Sequence, residues 1–250
     1  MNKNIVKDEI MKLIEEYYSI PTPSDKNRVA LSTSFYDSKE IKSAVNTLLS
    51  GWISQGKNVR EFEKLFSEKI GCKYGIATNS GSSANLVALN AMKNIYSLND
   101  GDQVIVPAAT FATVAMPIIQ LGLIPVYVDV RRDTLNIDTL EIETAINKKT
   151  KIIMPVHTLG LSSDMSKIMQ IADHHNLIVF EDCCEAHGSS INDKNAGSWG
   201  LASAFSFFVA HNITTGEGGM ILTNDEAIDA ECRSLREFGR YQKNNNDKEM

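Results

Sequence analysis

The chain is predicted to be an α/β protein with a mostly parallel central sheet and helices on both faces. Short apolar runs alternate with amphipathic stretches of ten or more residues, the pattern of strands joined by crossover helices. At 250 residues and 43% hydrophobic content the chain can bury one sizeable core, so one large domain is expected.

Residues 5–19 place Ile5, Ile10, Leu13 and Ile14 on one side with Lys and Glu between them, predicting a leading helix that Pro21 and Pro23 end. A second helix is predicted from Asp37 through Ile41, Val45 and Leu48 to Gly51, and a third over 59–70, each ending at a glycine. Strands are then predicted at 74–78, 103–106, 125–130, 151–156 and 177–181. The helices between them are predicted at 83–93, 113–122, 138–147 and 164–176. Residues 204–208 and 219–223 are read as two further strands forming a hairpin-like pair at the sheet edge. Residues 241–250 are polar and aperiodic, a loop at which the chain is expected to stop in mid-protein. The expected organisation is a helical segment at 1–27, a large domain at 28–240 and the start of a truncated C-terminal region at 241–250.

A formal net charge of -6 and a pI near 5.4, without clustered Lys and Arg, argue against a nucleic-acid surface. The charged N-terminus has no apolar leader, and no stretch approaches the roughly 20 apolar residues of a membrane helix, so a cytoplasmic protein is expected. Cys72, Cys183, Cys184 and Cys232 show no paired CxxC spacing, which points to reduced thiols.

Three places carry candidate chemistry. Residues 79–86 (NSGSSANL) put a glycine and hydroxyl side chains between a strand and a helix, a geometry that holds phosphate or simply caps the helix. Residues 181–188 (EDCCEAHG) follow an apolar strand, where α/β proteins place ligands; Asp182 is either a ligand carboxylate or a helix cap. His157 ends another strand, and both an active-site and a hydrogen-bonded structural role stay open. His174 and His175 are expected on a polar helix face.

The run 206–219 (SFFVAHNITTGEGG) resembles the cofactor-lysine region of the DegT/DnrJ/EryC1/StrS family, the pyridoxal-phosphate-dependent sugar aminotransferases, with His211 standing where lysine is usual. The resemblance spans about residues 28–240. It implies the large domain of the aspartate-aminotransferase-like fold type I, with a small C-terminal domain missing here. Gly81, Ser82 and Ser83 match the family's phosphate-binding turn, and Ser206 a further phosphate ligand. Phe111 matches the aromatic that stacks on the cofactor ring. Asp182, 29 residues before His211, matches the carboxylate that pairs with the pyridine nitrogen, and Glu185 the position that reaches the ring hydroxyl. Trp52 matches a segment near the sugar nucleotide.

A histidine at position 211 implies the sugar 3-dehydrase branch, with pyridoxamine or pyridoxal phosphate held noncovalently and His211 as catalytic base. Cys184 corresponds to one of four cysteines that hold a [2Fe-2S] cluster in the CDP-sugar 3-dehydrases. The stretch after Arg240 supplies no others, so a cluster-free enzyme of the GDP-sugar 3-dehydratase kind is expected, with no metal. The implied partners are a nucleotide-linked 4-keto-6-deoxy sugar, glutamate as amino donor and a second copy of the chain, with no nucleic acid and no membrane. Two alternatives stand beside this: an aminotransferase using another lysine such as Lys194, and a noncatalytic cofactor-binding relative.

Overall fold

A computed structural model of the chain describes residues 2–21 and 36–240. The break expected at Pro23 and the loop expected at 241–250 lie outside the described residues. The described chain forms two compact units, Met1–Arg60 and Glu61–Met250. The division falls at Arg60/Glu61, whereas the sequence reading put one large domain from residue 28.

In the first unit, α1 (Lys3–Ser19) and α2 (Ser38–Leu49) form as expected. Asn2 caps α1, and Asp37 forms a reciprocal capping box with Glu40 at the start of α2. Lys42 and Glu15 pair between the two helices.

In the second unit, α3 (Lys57–Ile70), which begins in the first, buries Phe66 and Ile70. The strands are β1 (Tyr74–Thr78), β2 (Gln103–Pro107), β3 (Ile124–Val128), β4 (Thr150–Ile153) and β5 (Ile178–Asp182). They alternate with helices α4 (Gly81–Ile95), α5 (Ala112–Gln120), α6 (Thr139–Ala145) and α7 (Met165–His175). A two-stranded ribbon, β6 (Ser190–Ile191) and β7 (Lys194–Asn195), turns at Asn192 and Asp193, both left-handed as tight hairpins require. β8 (Ala202–Ser206), β9 (Gly219–Thr223) and α8 (Glu226–Arg236) complete the unit. No described helix is long and apolar enough to cross a membrane.

The sheet order is β1-β9-β8-β5-β4-β2-β3. Six strands run the same way, because β1 and β8 both pair antiparallel with β9 and the remaining pairs are parallel. This corrects the edge position expected for 204–208 and 219–223. β8 and β9 do pair antiparallel, but both are interior, since β1 takes the outer hydrogen-bonding edge of β9 and β5 that of β8.

Alternation along the buried strands divides the core between the two faces. Val104, Val106, Ile152 and Phe180 pack with α4, α5 and α8, while Ile105, Ile153 and Val179 face α6 and α7. Phe66, Phe205, Phe207, Met220 and Leu222 form a third cluster under α3. Cys232 is fully buried on α8. Glu63 of α3 accepts from Arg233 at 3.1 Å and Arg236 at 2.7 Å, tying α3 to α8.

Phe180 is fully buried in a central strand. Phe180→Ala should cost about 3–5 kcal/mol, a fall in melting temperature on the order of 10 °C by differential scanning calorimetry.

Candidate active site

All the parallel strands but one end at the same cleft, of about 740 Å³. The residues following β1, β2, β4, β5 and β8 line it, the position a parallel sheet provides for ligands. Its walls include Gly81, Ser82, Phe111, Asp182, Glu185, Ser206 and His211, which fold brings together from across the second unit.

At the start of α4, the Ser80 hydroxyl accepts from the Ser83 amide at 3.1 Å and the Ser80 carbonyl from the Ala84 amide at 3.0 Å. That leaves the Gly81 and Ser82 amides without an intrahelical acceptor at the positive end of the helix dipole, in two residues that line the cleft. Ser83, the third residue expected to touch phosphate, accepts from the Ser80 hydroxyl at 3.1 Å, a bond that leaves its own O–H free to donate. Glycine is required at 81: a Cβ there would stand 2.6 Å from Ser206 Cβ and 2.8 Å from Cys184 Sγ. The first residue of β9 braces the same turn, since a Cβ at Gly219 would fall 2.3 Å from the Ser80 carbonyl oxygen.

Asp182 is the last residue of β5 and is held at both oxygens. Oδ1 accepts from the Cys184 amide at 3.0 Å and Oδ2 from Asn85 Nδ2 at 2.8 Å. It is therefore a positioned cleft carboxylate and caps no helix. Asn85 was not singled out from the sequence, although it lies one turn along α4 from Gly81 and so shares its face. Phe111 ends the β2–α5 turn at 76% exposure, so its ring belongs to the cleft wall and not to the core.

Glu185 accepts from the Leu159 amide at 2.8 Å. That bond holds a left-handed Leu159 at the cleft mouth, a conformation that costs a non-glycine residue energy. His211, half-buried in the 207–218 loop, also faces the cleft. Burial lowers its imidazole below the usual histidine range, while Glu185 and Asp182 oppose the shift. Among the described residues no lysine or arginine lines the cleft; Lys194 stacks its amine 4.5 Å above the Trp199 ring on the ribbon.

His157 takes the structural role. Its ring is fully buried, Nδ1 accepts from the Ser163 amide at 3.0 Å, and Nε2 therefore carries the proton donated to Glu181 Oε2 at 3.1 Å. Glu181 also accepts from the amides of Gly197, Trp199 and Gly200, each at 2.8 Å. His157, Glu181 and Cys183 cluster closely enough to suggest a metal. Both Glu181 oxygens and both His157 nitrogens are already engaged, and burial pushes the Cys183 thiol well up, so this donor set does not fit a cation. All four cysteines are free thiols. His174 and His175 are exposed, as expected. Trp52 lies in the first unit, donating Nε1 to the Gln55 carbonyl at 2.9 Å.

His187 is a further residue that the sequence did not mark. Its ring is packed by Phe66, Phe205 and Phe207, with centroids 6.2, 5.5 and 5.5 Å away, and lies 6.1 Å from the His211 ring. Burial pushes it down to about 4, with His211 adding to the shift and the Ser206 backbone opposing it.

Comparison with known proteins agrees with this layout. The model of the DegT/DnrJ/EryC1/StrS aminotransferase family matches residues 35–250. A GDP-perosamine synthase of Caulobacter vibrioides is 41% identical over 217 residues, 86% of this chain and 57% of that protein. A GDP-4-keto-6-deoxy-D-mannose 3-dehydratase of Yersinia pseudotuberculosis is 38% identical over 200 residues, 79% of this chain and 51% of that protein. The chain thus spans about half the length of the curated relatives it matches. Among solved structures, the E. coli GDP-4-keto-6-deoxy-D-mannose-3-dehydratase with bound hydrated PLP aligns at a TM-score of 0.81 and 36% identity, covering 84% of this chain and 54% of that one. A GDP-4-keto-6-deoxymannose-3-dehydratase with a trapped PLP-glutamate geminal diamine aligns at 0.82 and 36% identity, covering 85% and 55%.

Two tests follow from this geometry. Glu181→Gln turns an amide N–H2 toward groups that themselves donate, and should cost about 2–3 kcal/mol in a denaturant titration. For His187, the folded imidazole near 4 lies below an ordinary 6.5, so the unfolded chain binds more protons between those values. Its contribution to stability is fully present above about pH 6.5 and is lost as pH falls toward 4. The difference in melting temperature between wild type and His187→Phe, followed across that window, should shift in favour of the variant at low pH.

Proposed function

Because the chain belongs to the DegT/DnrJ/EryC1/StrS aminotransferase family, we propose that it is the cofactor-binding part of a 3-dehydratase for a nucleotide-linked 4-keto-6-deoxyhexose, with His211 as the base. The observation that carries this reading is an imidazole on the cleft wall with Asp182, Phe111 and Ser206, in a cleft whose described lining holds no lysine.

The cleft fits pyridoxamine or pyridoxal phosphate on its own features. The Gly81 and Ser82 amides and the Ser82 and Ser206 hydroxyls would hold the phosphate, the exposed Phe111 ring would cover one face of the pyridine, and the anchored Asp182 would pair with its protonated nitrogen. Glu185 would reach the ring hydroxyl while keeping its bond to Leu159. Bound there, the amine form of the cofactor supplies a nitrogen that condenses with a ketone and a ring that accepts electrons.

The protein's own part is acid–base chemistry. His211 cannot tie the cofactor covalently as a lysine would. A lowered imidazole is neutral near pH 7, so it is ready to take a proton from the C4′ carbon and pass it to the hydroxyl leaving C3. The relatives' names support a nucleotide sugar as substrate. The glutamate trapped with PLP in one neighbour supports glutamate as the amino donor. A homodimer and a cytoplasmic setting complete the reading.

The perosamine synthase among the relatives favours a second reading, an aminotransferase. The test is to incubate the full-length protein with pyridoxamine phosphate, glutamate and a nucleotide-linked 4-keto-6-deoxyhexose and identify the product by mass spectrometry. The 3-deoxy sugar is expected, and His211→Asn should lower its formation by a factor of 10² or more. An aminated sugar, or covalent labelling of a lysine on borohydride reduction with pyridoxal phosphate, would establish the aminotransferase instead.

A further inference from the structure

His187 sits below the cleft, two residues after Glu185, where a polar side chain is hard to explain by packing alone. Phe66 of α3, Phe205 of β8 and Phe207 surround it, and none of these can accept or donate an ordinary hydrogen bond. Among the described residues neither of its buried ring nitrogens meets a partner at full hydrogen-bond geometry, and the polar groups beside it are the Ser206 backbone and His211. A buried polar atom left so costs stability, which a phenyl ring in the same box would avoid. The one polar ring beside it is His211, at a centroid separation of 6.1 Å and a tilt of 44°. A small rotation, or one bridging water, spans that gap.

We propose that His187 is a positioning residue for His211: its neutral imidazole accepts a hydrogen bond from one His211 nitrogen and so turns the other, with its lone pair, toward the cleft. This rests on the reading of His211 as the base. The arrangement has the logic of a base oriented by a second group behind it, with an uncharged acceptor in place of a carboxylate. The phenyl box is what makes the acceptor useful. A group pushed down to about 4 orients its neighbour without drawing off the proton that the neighbour has picked up. The proton then stays on His211, facing the cleft, for delivery to the leaving hydroxyl.

The charged and titratable groups around the pair are few. Asp182 at the end of β5, Glu185 in the following loop and Glu217 before β9 line the cleft with His211. His187 faces His211 and the Ser206 backbone on its polar side.

Histidine-specific 15N labelling of the full-length protein separates the five imidazoles, and single substitutions assign them. In wild type, His211 should show the ring shifts of one tautomer. His187→Phe, which fills the box with an apolar ring, should mix the two tautomers and lower the His211 midpoint by roughly half to one pH unit, the size of one lost hydrogen bond to the charged form. His187→Gln keeps an acceptor oxygen and should restore the single tautomer. Unchanged His211 shifts in His187→Phe would overturn the proposal, as would equal changes in both variants, which would mark His187 as packing. The measurement needs neither cofactor nor substrate, so its failure leaves the dehydratase reading standing. Conversely, an aminated product from a protein with an intact imidazole pair would remove that reading alone.

Discussion

The buried carboxylate of Glu181 is the interaction on which the cleft depends. A charge inside a sheet is costly unless every lone pair is met, and here four donors meet it: three amides of the 197–200 turn and the Nε2–H of His157. Those contacts draw two loops onto the end of β5. One leads into β8 and so toward Ser206 and His211; the other, beginning at His157, forms the cleft wall at Thr158 and Leu159. Because strand side chains alternate, placing Glu181 below the sheet end commits Asp182 to the opposite side, where Asn85 and the Cys184 amide fix it.

The cleft itself is built from neutral donors and carboxylates. Gly81, Ser82 and Ser206 offer amides and hydroxyls, Asp182, Glu185 and Glu217 offer acid groups, and His211 is the one nitrogen base among the described lining residues. Such a cleft would receive an anion by a helix terminus and not by a cation, and its acid groups would suit the protonated side of a heteroaromatic ring. Behind His211 the surroundings turn abruptly apolar, so its imidazole stands at a boundary between a polar cleft and a phenyl-lined interior. That boundary explains the direction in which burial moves both histidines.

Most elements could be read from the chain, because strands and helices of this length carry their own periodicity: β1 and β9 match their predicted bounds and most others differ by a few residues at the ends, while the short β6–β7 ribbon and α8 were not predicted. That Gly81, Asp182, Ser206 and His211 share one cleft was also legible, through the family resemblance that their motifs carry. Less so was the place of β8 and β9 in the sheet. Their mutual pairing is local, but the pairing of β1 with β9 joins segments far apart in sequence and leaves no local mark. Ser83 illustrates a choice the residues alone leave open, because a hydroxyl beside a glycine turn suits either a phosphate or a helix cap, and its bond with Ser80 shows the capping side of it.

By itself the sequence determined the alternation of elements and the glycine–serine turn at 79–86, since these are properties of residue identity and spacing, while the imidazole at position 211 gained its meaning from the family resemblance. Only the tertiary structure decided what each polar side chain faces. Phe111 lies open on the cleft, His157 is consumed by Glu181 and Ser163, Asn85 holds Asp182, and His187 stands behind His211. Those outcomes depend on which distant segments a side chain meets after the chain has packed, and no local pattern encodes that.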